Sequence, residues 1–273
     1  MTADDAGALA DRALARLQGA STRSRLPFTC GLSVDELLLV EETGYEPVGL
    51  VGGSSVYTVA PASRLMLPTV SREVADVSAA LHEARRKAMD RLRREAGAMG
   101  ADGVVGVRLT VDLESWGELR AEFVATGTAV RAHGSRGQPT PFTSNLSGRD
   151  FYALRRGGYH PVDLVMGACV WHAAALTAGR WLAIRGRNVE LAEYTAALYA
   201  ARELAMARMS REAAGSGARG IVGVRIEERP RAWGNRTVEF LAVGTAVTLV
   251  AAVPGGGRPA PVLSLDRPGG GTG

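Results

Sequence analysis

Cysteine is nearly missing from this chain: there are two in 273 residues, Cys30 and Cys169. Two thiols cannot form the disulfide framework of a small secreted domain, and they fit reduced, buried side chains. Histidine is as sparse, at four, so a catalytic or metal-binding set has few residues to draw on. Aromatic side chains make up only 5%. No apolar run approaches the roughly 20 residues that cross a bilayer. Asp4 and Asp5 stand where a secretory signal would be basic, which leads us to expect a cytoplasmic protein. Charge of one sign is lacking too. Lys and Arg number 32 against 28 Asp and Glu, a net +4, too small an excess to point to nucleic acid.

What the chain does contain, it contains twice. Residues 95 to 108 return as 212 to 225, with nine of fourteen positions identical, and Glu122 to Val130 returns as Glu239 to Val247, with seven of nine identical. The offset is 117 in both blocks; upstream, Gly44-Tyr45-Glu46-Pro47-Val48 matches Gly158-Tyr159-His160-Pro161-Val162 at an offset of 114. Two copies of one domain therefore lie in tandem, and each tests the other. The chain divides into an N-terminal extension (1–26), repeat one (27–131), a linker (132–141), repeat two (142–252) and a Gly- and Pro-rich tail (253–273) with too little to bury, expected to be disordered.

Each repeat opens on a capping pattern, Ser33-x-x-Glu36 or Ser147-x-x-Asp150, that starts a short helix. A strand follows Pro47 and Pro161; Gly53 and Gly167 inside it suggest a bulge or a close backbone approach. Apolar steps of three and four then mark a long helix: Val74, Val77, Leu81, Ala84, Ala88, Leu92 and Ala96, and Leu191, Tyr194, Leu198, Ala201, Ala205, Met209 and Ala213. Two strands close each repeat, with Trp116 and Trp233 at the intervening hairpins. The fold class is α+β: two repeats, each a long helix on a small, mainly antiparallel sheet, with a short extra helix in front.

Chemistry is hard to find in this pattern. Glycines 100, 103 and 106, with 217, 220 and 223, follow a helix and precede a strand. Phosphate loops run the other way, so that a helix N-terminus meets the anion; a tight connection is the better reading. His160, Cys169 and His172 are the weak metal candidates. They have no counterparts in repeat one, and residues three apart on a strand point to opposite faces. No nucleophile–base set can be named. Glu122 and Glu239 recur and would pair with Arg108 and Arg225 on the neighbouring strand. Arg85, Arg86, Lys87, Arg91, Arg93 and Arg94, interleaved with acidic residues, read as a solvated helix face. Trp116 or Trp233 could stack an aromatic ligand, though packing against a neighbouring subunit is the stronger reading.

The combination of Glu95 to Arg108 with Glu122 to Val130, present again in repeat two, resembles the YbjQ-like family, labelled heavy-metal-binding. That resemblance implies a subunit topology like that of dodecins and pentamers around a central β-barrel. It brings no metal-ligand motif and no cofactor. The expectation is a non-enzymatic, oligomeric scaffold: a homopentamer with ten domains in two rings, and an unidentified protein partner. The alternative is a binding module for an aromatic small molecule or a heavy metal.

Overall fold

A computed structural model describes residues 28–59, 70–116, 118–174, 188–230 and 237–250. The expected N-terminal extension and tail, and Trp233, lie outside these residues.

Each repeat starts with a two-turn helix, α1 (Val34–Glu42) and α3 (Gly148–Arg156). Ser33 accepts from the Glu36 amide while Glu36 Oε2 accepts from the Ser33 amide at 3.0 Å, so two orphan donors are satisfied reciprocally. In repeat two the Asp150 amide donates to Ser147 Oγ at 3.1 Å. Strands β1 (Tyr45–Val59) and β6 (Tyr159–His172) come next. Both shift register at their proline, between Pro47 and Gly49 and between Pro161 and Asp163, where the ladder lacks an N–H. The later glycines serve another end. A Cβ on Gly53 would lie 2.1 Å from the Ala88 carbonyl oxygen, and one on Gly167 2.0 Å from that of Ala205. Those carbonyls belong to the long helices α2 (Ala75–Ala98) and α4 (Ala192–Gly215). Of the two readings open for these glycines, close backbone approach is the one realised.

The hairpins are β3 (Gly103–Trp116) with β4 (Glu118–Ala132), and β7 (Gly220–Pro230) with β8 (Thr237–Leu249). β3 and β7 each break register, between Val105 and Arg108 and between Val222 and Arg225. Gly106 and Gly223 sit in these bulges at φ +68° and +61°, a conformation other residues adopt only at a cost. Both copies thus have the α+β form expected, a long helix on an antiparallel sheet.

The copies are interleaved. β2 (Arg72–Glu73), which precedes α2 in repeat one, pairs antiparallel with β6, Arg72 opposite His172 and Glu73 opposite Trp171. β5 (Phe142–Thr143), which opens repeat two, pairs parallel with β3, Gly103 opposite Phe142 and Val104 opposite Thr143. The sheet orders are β1-β4-β3-β5 and β2-β6-β8-β7, so each repeat contributes an edge strand to the other. Within 132–141, Ser135 Oγ donates to Asp102 at 2.8 Å and the Gln138 amide to the Ala101 carbonyl at 3.1 Å.

Helix α2 lies between the two sheets. Leu81, Leu92 and Phe123 of repeat one share one core with Leu164, Val170 and Leu241 of repeat two. Helix α4 covers the other face of the second sheet, where its Met209 shares a cluster with Cys169 and Phe240. At the rim, Phe142 enters a third cluster with Tyr45 and Phe151, edge-on to Tyr45 at 6.0 Å between centroids. Among the described residues no helix is long and apolar enough to cross a membrane.

Candidate functional site

Among the described residues, a set of ion pairs and hydrogen bonds joins one repeat to the other. Arg85 on α2 forms an ion pair with Glu239 on β8, and both side chains are wholly buried. The Phe123 ring lies 5.1 Å from the guanidinium. Burial, with Arg229 nearby, pulls Arg85 well below the ordinary arginine range, yet leaves it charged at neutral pH. Arg93 of α2 pairs with Asp163 of β6, Nη2 to Oδ1 at 2.5 Å. Ser78 Oγ accepts from the Val170 amide at 2.8 Å, and the Val74 amide donates to the Val170 carbonyl at 2.8 Å. Arg208 on α4 holds β2 in place: it pairs with Glu73 at 2.5 Å and donates to the Ala168 carbonyl at 2.7 Å.

A second group of contacts lies along the edge of β3. The amides of Phe142 and Ser144 donate to the carbonyls of Asp102 and Val104 at 3.0 and 2.9 Å. In return, the amides of Gly106 and Val107 donate to the carbonyls of Leu146 and Ser144 at 3.0 and 2.8 Å. Thr143 Oγ1 and Asn145 tie this segment back to its own repeat, through the Leu164 amide and Thr245 Oγ1 at 3.0 and 3.1 Å. Helices α1 and α3 meet beside it. The Gly148 amide donates to Glu36 Oε1 at 3.2 Å, and Arg149 pairs with Asp35. Hydrogen bonding from Ser33 and the Arg149 guanidinium lower the Asp35 carboxyl to about 2.

Two sequence expectations need correcting here. Glu122 and Glu239 do not face Arg108 and Arg225. Arg108 stands opposite Thr126 and Arg225 opposite Val243, each four residues along the strand from the glutamate, while Glu122 faces Asp112 and Glu239 faces Arg229. Nor is the basic face of α2 uniformly solvated. Arg86 and Lys87 are exposed with Glu83 and Asp90, but Arg85 is 0% exposed. Arg85 was missed, although a signal existed: it recurs as Arg202 at the same offset that carries Glu122 to Glu239.

The metal candidates do not meet. Cys169 is buried under α4, and burial, with Glu73 nearby, pushes its thiol up to about 12. His172, 7% exposed, is 3.5 Å from Thr237 Oγ1. His160 stands at the far end of β6, edge-on to the Phe142 ring at 5.2 Å and 2.9 Å from Arg155. Among the described residues no three His, Cys, Asp or Glu side chains gather as a metal site. Trp116 ends β3, but its side chain, like all of Trp233, lies outside the described residues. A groove of about 290 Å³ at the seam brings Arg108 and Arg225 near Glu36 and Asn145. Another, of about 350 Å³, is lined by His82, Met166, Arg208 and Glu212.

The family described as "Putative heavy-metal-binding", YbjQ-like, matches residues 40–133 and again 165–250. The chain belongs to this family. A YbjQ-like match in each half agrees with the repeats drawn from the internal offsets. The chain is 44% identical over 225 residues to the encapsulin nanocompartment protein of Mycobacterium tuberculosis, covering 81% of this chain and 85% of that one. Shorter matches reach two UPF0145 proteins. One, from Halorubrum lacusprofundi, is 51% identical over 18% of this chain and 45% of its own length. The other, from Methanosarcina acetivorans, is 44% identical over 23% and 57%.

Proposed function

We propose that this protein is a non-enzymatic, self-assembling scaffold built from two YbjQ-like repeats. The observation that carries this reading is where the buried charge lies. Arg85 and Glu239 are 0% exposed and span the seam between repeats. A buried pair of this kind is costly to form and serves to fix one geometry; here that geometry is domain against domain. The name of the mycobacterial relative, an encapsulin nanocompartment protein, supports an assembly role; we take the site of that assembly to be the cytoplasm.

The pentamers implied by the family resemblance give the size: five chains and ten repeats. The repeats stand side by side with exchanged edge strands, which supports reading the ten repeats as one ring in place of the two rings expected from sequence. Repeat one and repeat two would then alternate. Light scattering on the purified protein tests this. A mass near five times 28.6 kDa is expected, and a monomer at micromolar concentration refutes it. The alternative reading, a module for an aromatic ligand or heavy metal, would be revived by stoichiometric bound metal or chromophore.

A further inference from the structure

The two faces left open by the seam are themselves the two halves of a seam. We propose that they close on each other between copies of this chain: Arg202 of one copy pairs with Glu122 of the next, and Phe28–Cys30 of that next copy adds to the free edge of β7. This rests on the self-assembling reading above and names its contacts.

The internal repeat supplies the argument. Residues up to the end of β1 and β6 correspond at an offset of 114, and those from Glu73 and Glu190 onward at 117. In the seam, repeat one offers the outer face of α2, β2 and the edge of β3; repeat two offers the outer face of its sheet and residues 142–146. Among the described residues, the corresponding surfaces at the ends of the chain are more exposed. Phe142 is 8% exposed but its counterpart Phe28 is 52%; Leu164 is 1% but Leu50 is 47%; Val170 is 0% but Val56 is 61%. On the other half, Val107 is 4% exposed and Val224 is 40%. Among the described residues, the outer edge of β7 carries no strand.

Charge and backbone agree with this match. The buried Arg85–Glu239 pair has its counterparts in Arg202 and Glu122. The Arg202 side chain is 42% exposed and Glu122 is exposed, one at each open end. The Arg208–Glu73 pair has its counterparts in Arg91 and Glu190, both exposed. Arg91 Nη1 already donates to the Ser54 carbonyl, as Arg208 Nη1 does to that of Ala168. The incoming segment is posed as well. The Leu50 amide donates to Thr29 Oγ1, as the Leu164 amide does to Thr143 Oγ1. The Gly31 amide donates to Thr128 Oγ1 as the Asn145 amide does to Thr245 Oγ1. Residues 28–31 are thus tethered to their own repeat just as 142–145 are to theirs. By the β3 pattern, the amides of Phe28 and Cys30 would donate to the carbonyls of Arg219 and Ile221. The contact is head-to-tail, so it builds a ring when the rotation closes and a filament when it does not.

Sedimentation velocity on full-length Glu122→Arg, Arg202→Glu and the double variant decides the matter. Both residues are exposed in the single chain, so each variant should fold, as circular dichroism would confirm. Either single change should weaken association by about 100-fold or more, through like charges forced together in a closing interface. The double variant, which restores an Arg–Glu pair in reverse, should recover most of the oligomer. An oligomeric wild type whose single variants assemble normally overturns this interface and leaves the scaffold reading intact. Single variants that dissociate without rescue overturn the pairing. A monomeric wild type overturns both.

Discussion

Replacing Gly167 with alanine places one methyl group between strand β6 and helix α4, where there is no room for it. The added Cβ would lie 2.0 Å from the Ala205 carbonyl oxygen and 2.6 Å from the Met209 amide nitrogen. Both are backbone atoms of a helix, so no side chain can swing aside. The helix would have to retreat by about 1 Å, loosening packing along its whole length. Overpacking costs about 1–3 kcal/mol and occasionally more; a clash with helix backbone belongs at the top of that range. For a cooperative unit of this size, about 3 kcal/mol corresponds to a fall in Tm of about 6–12 °C. Gly53→Ala meets the Ala88 carbonyl oxygen at 2.1 Å and the Leu92 amide nitrogen at 2.5 Å, so it should cost about as much. Gly215→Ala is the control. It lies in α4 with nothing within 4 Å of the new Cβ, and alanine there should be neutral or stabilising by up to about 1 kcal/mol. Urea unfolding followed by circular dichroism reads all three. If Gly167→Ala and Gly53→Ala both stay within about 0.5 kcal/mol of the parent, the close-approach argument is wrong.

Arg85→Met should lower stability by about 3–5 kcal/mol, because Glu239 stays buried with its charge less compensated; adding Glu239→Leu should recover much of it. A double-mutant cycle with no coupling would contradict the buried pair. Cys169 should resist a thiol reagent at pH 8 in the native protein and react once the protein is unfolded; rapid native labelling at that position would show the thiol is not enclosed. Its folded pKa is raised, from 9.0 to about 12. The thiol therefore contributes stability that is present below pH 9 and lost as pH rises toward 12, which an alkaline unfolding series on Cys169→Ala against the parent would reveal. Ser33→Ala removes both the cap acceptor and its partnership with Glu36, and should cost about 1 kcal/mol. An unchanged unfolding midpoint would mean α1 is held by packing alone.

Much of the fold was legible because its signals are local and occur twice. The stripe from Val77 to Ala96 repeats at three and four, and so does its counterpart. Ser33 and Ser147 announce their helices, and Gly53 and Gly167 mark the strand position nearest the helix backbone. What could not be read is non-local. Arg72–Glu73 is only two residues ahead of the long helix, and nothing in two residues states that they pair with His172 and Trp171 of the other repeat. The partners of Glu122 and Glu239 were misjudged because recurrence on neighbouring strands does not set their register: Arg108 and Arg225 pair with Thr126 and Val243, four residues along from the glutamates.

The charged residues of the long helices show why one copy alone misleads. On α2, basic residues interleaved with acidic ones look like a solvated face, and for Arg86 and Lys87 that is right. Arg85 sits in the same run and is 0% exposed, because a second sheet covers its side of the helix. Periodicity assigns a helix one buried face, against its own sheet; it has no means of assigning a second, which belongs to a neighbour. Arg202 occupies the same position on α4, yet its side chain is 42% exposed, since the described chain supplies no third sheet to cover it. The two arginines hold equivalent helix positions, although their neighbours differ, Arg86 and Lys87 against Glu203 and Leu204. Their difference in exposure is the one that the further copy proposed above would remove. The same holds for Leu50 at 47% against Leu164 at 1%, on the opposite end of the chain. That both ends are bare in complementary ways, arginine at one and glutamate at the other, is what makes a further copy of the chain the economical occupant.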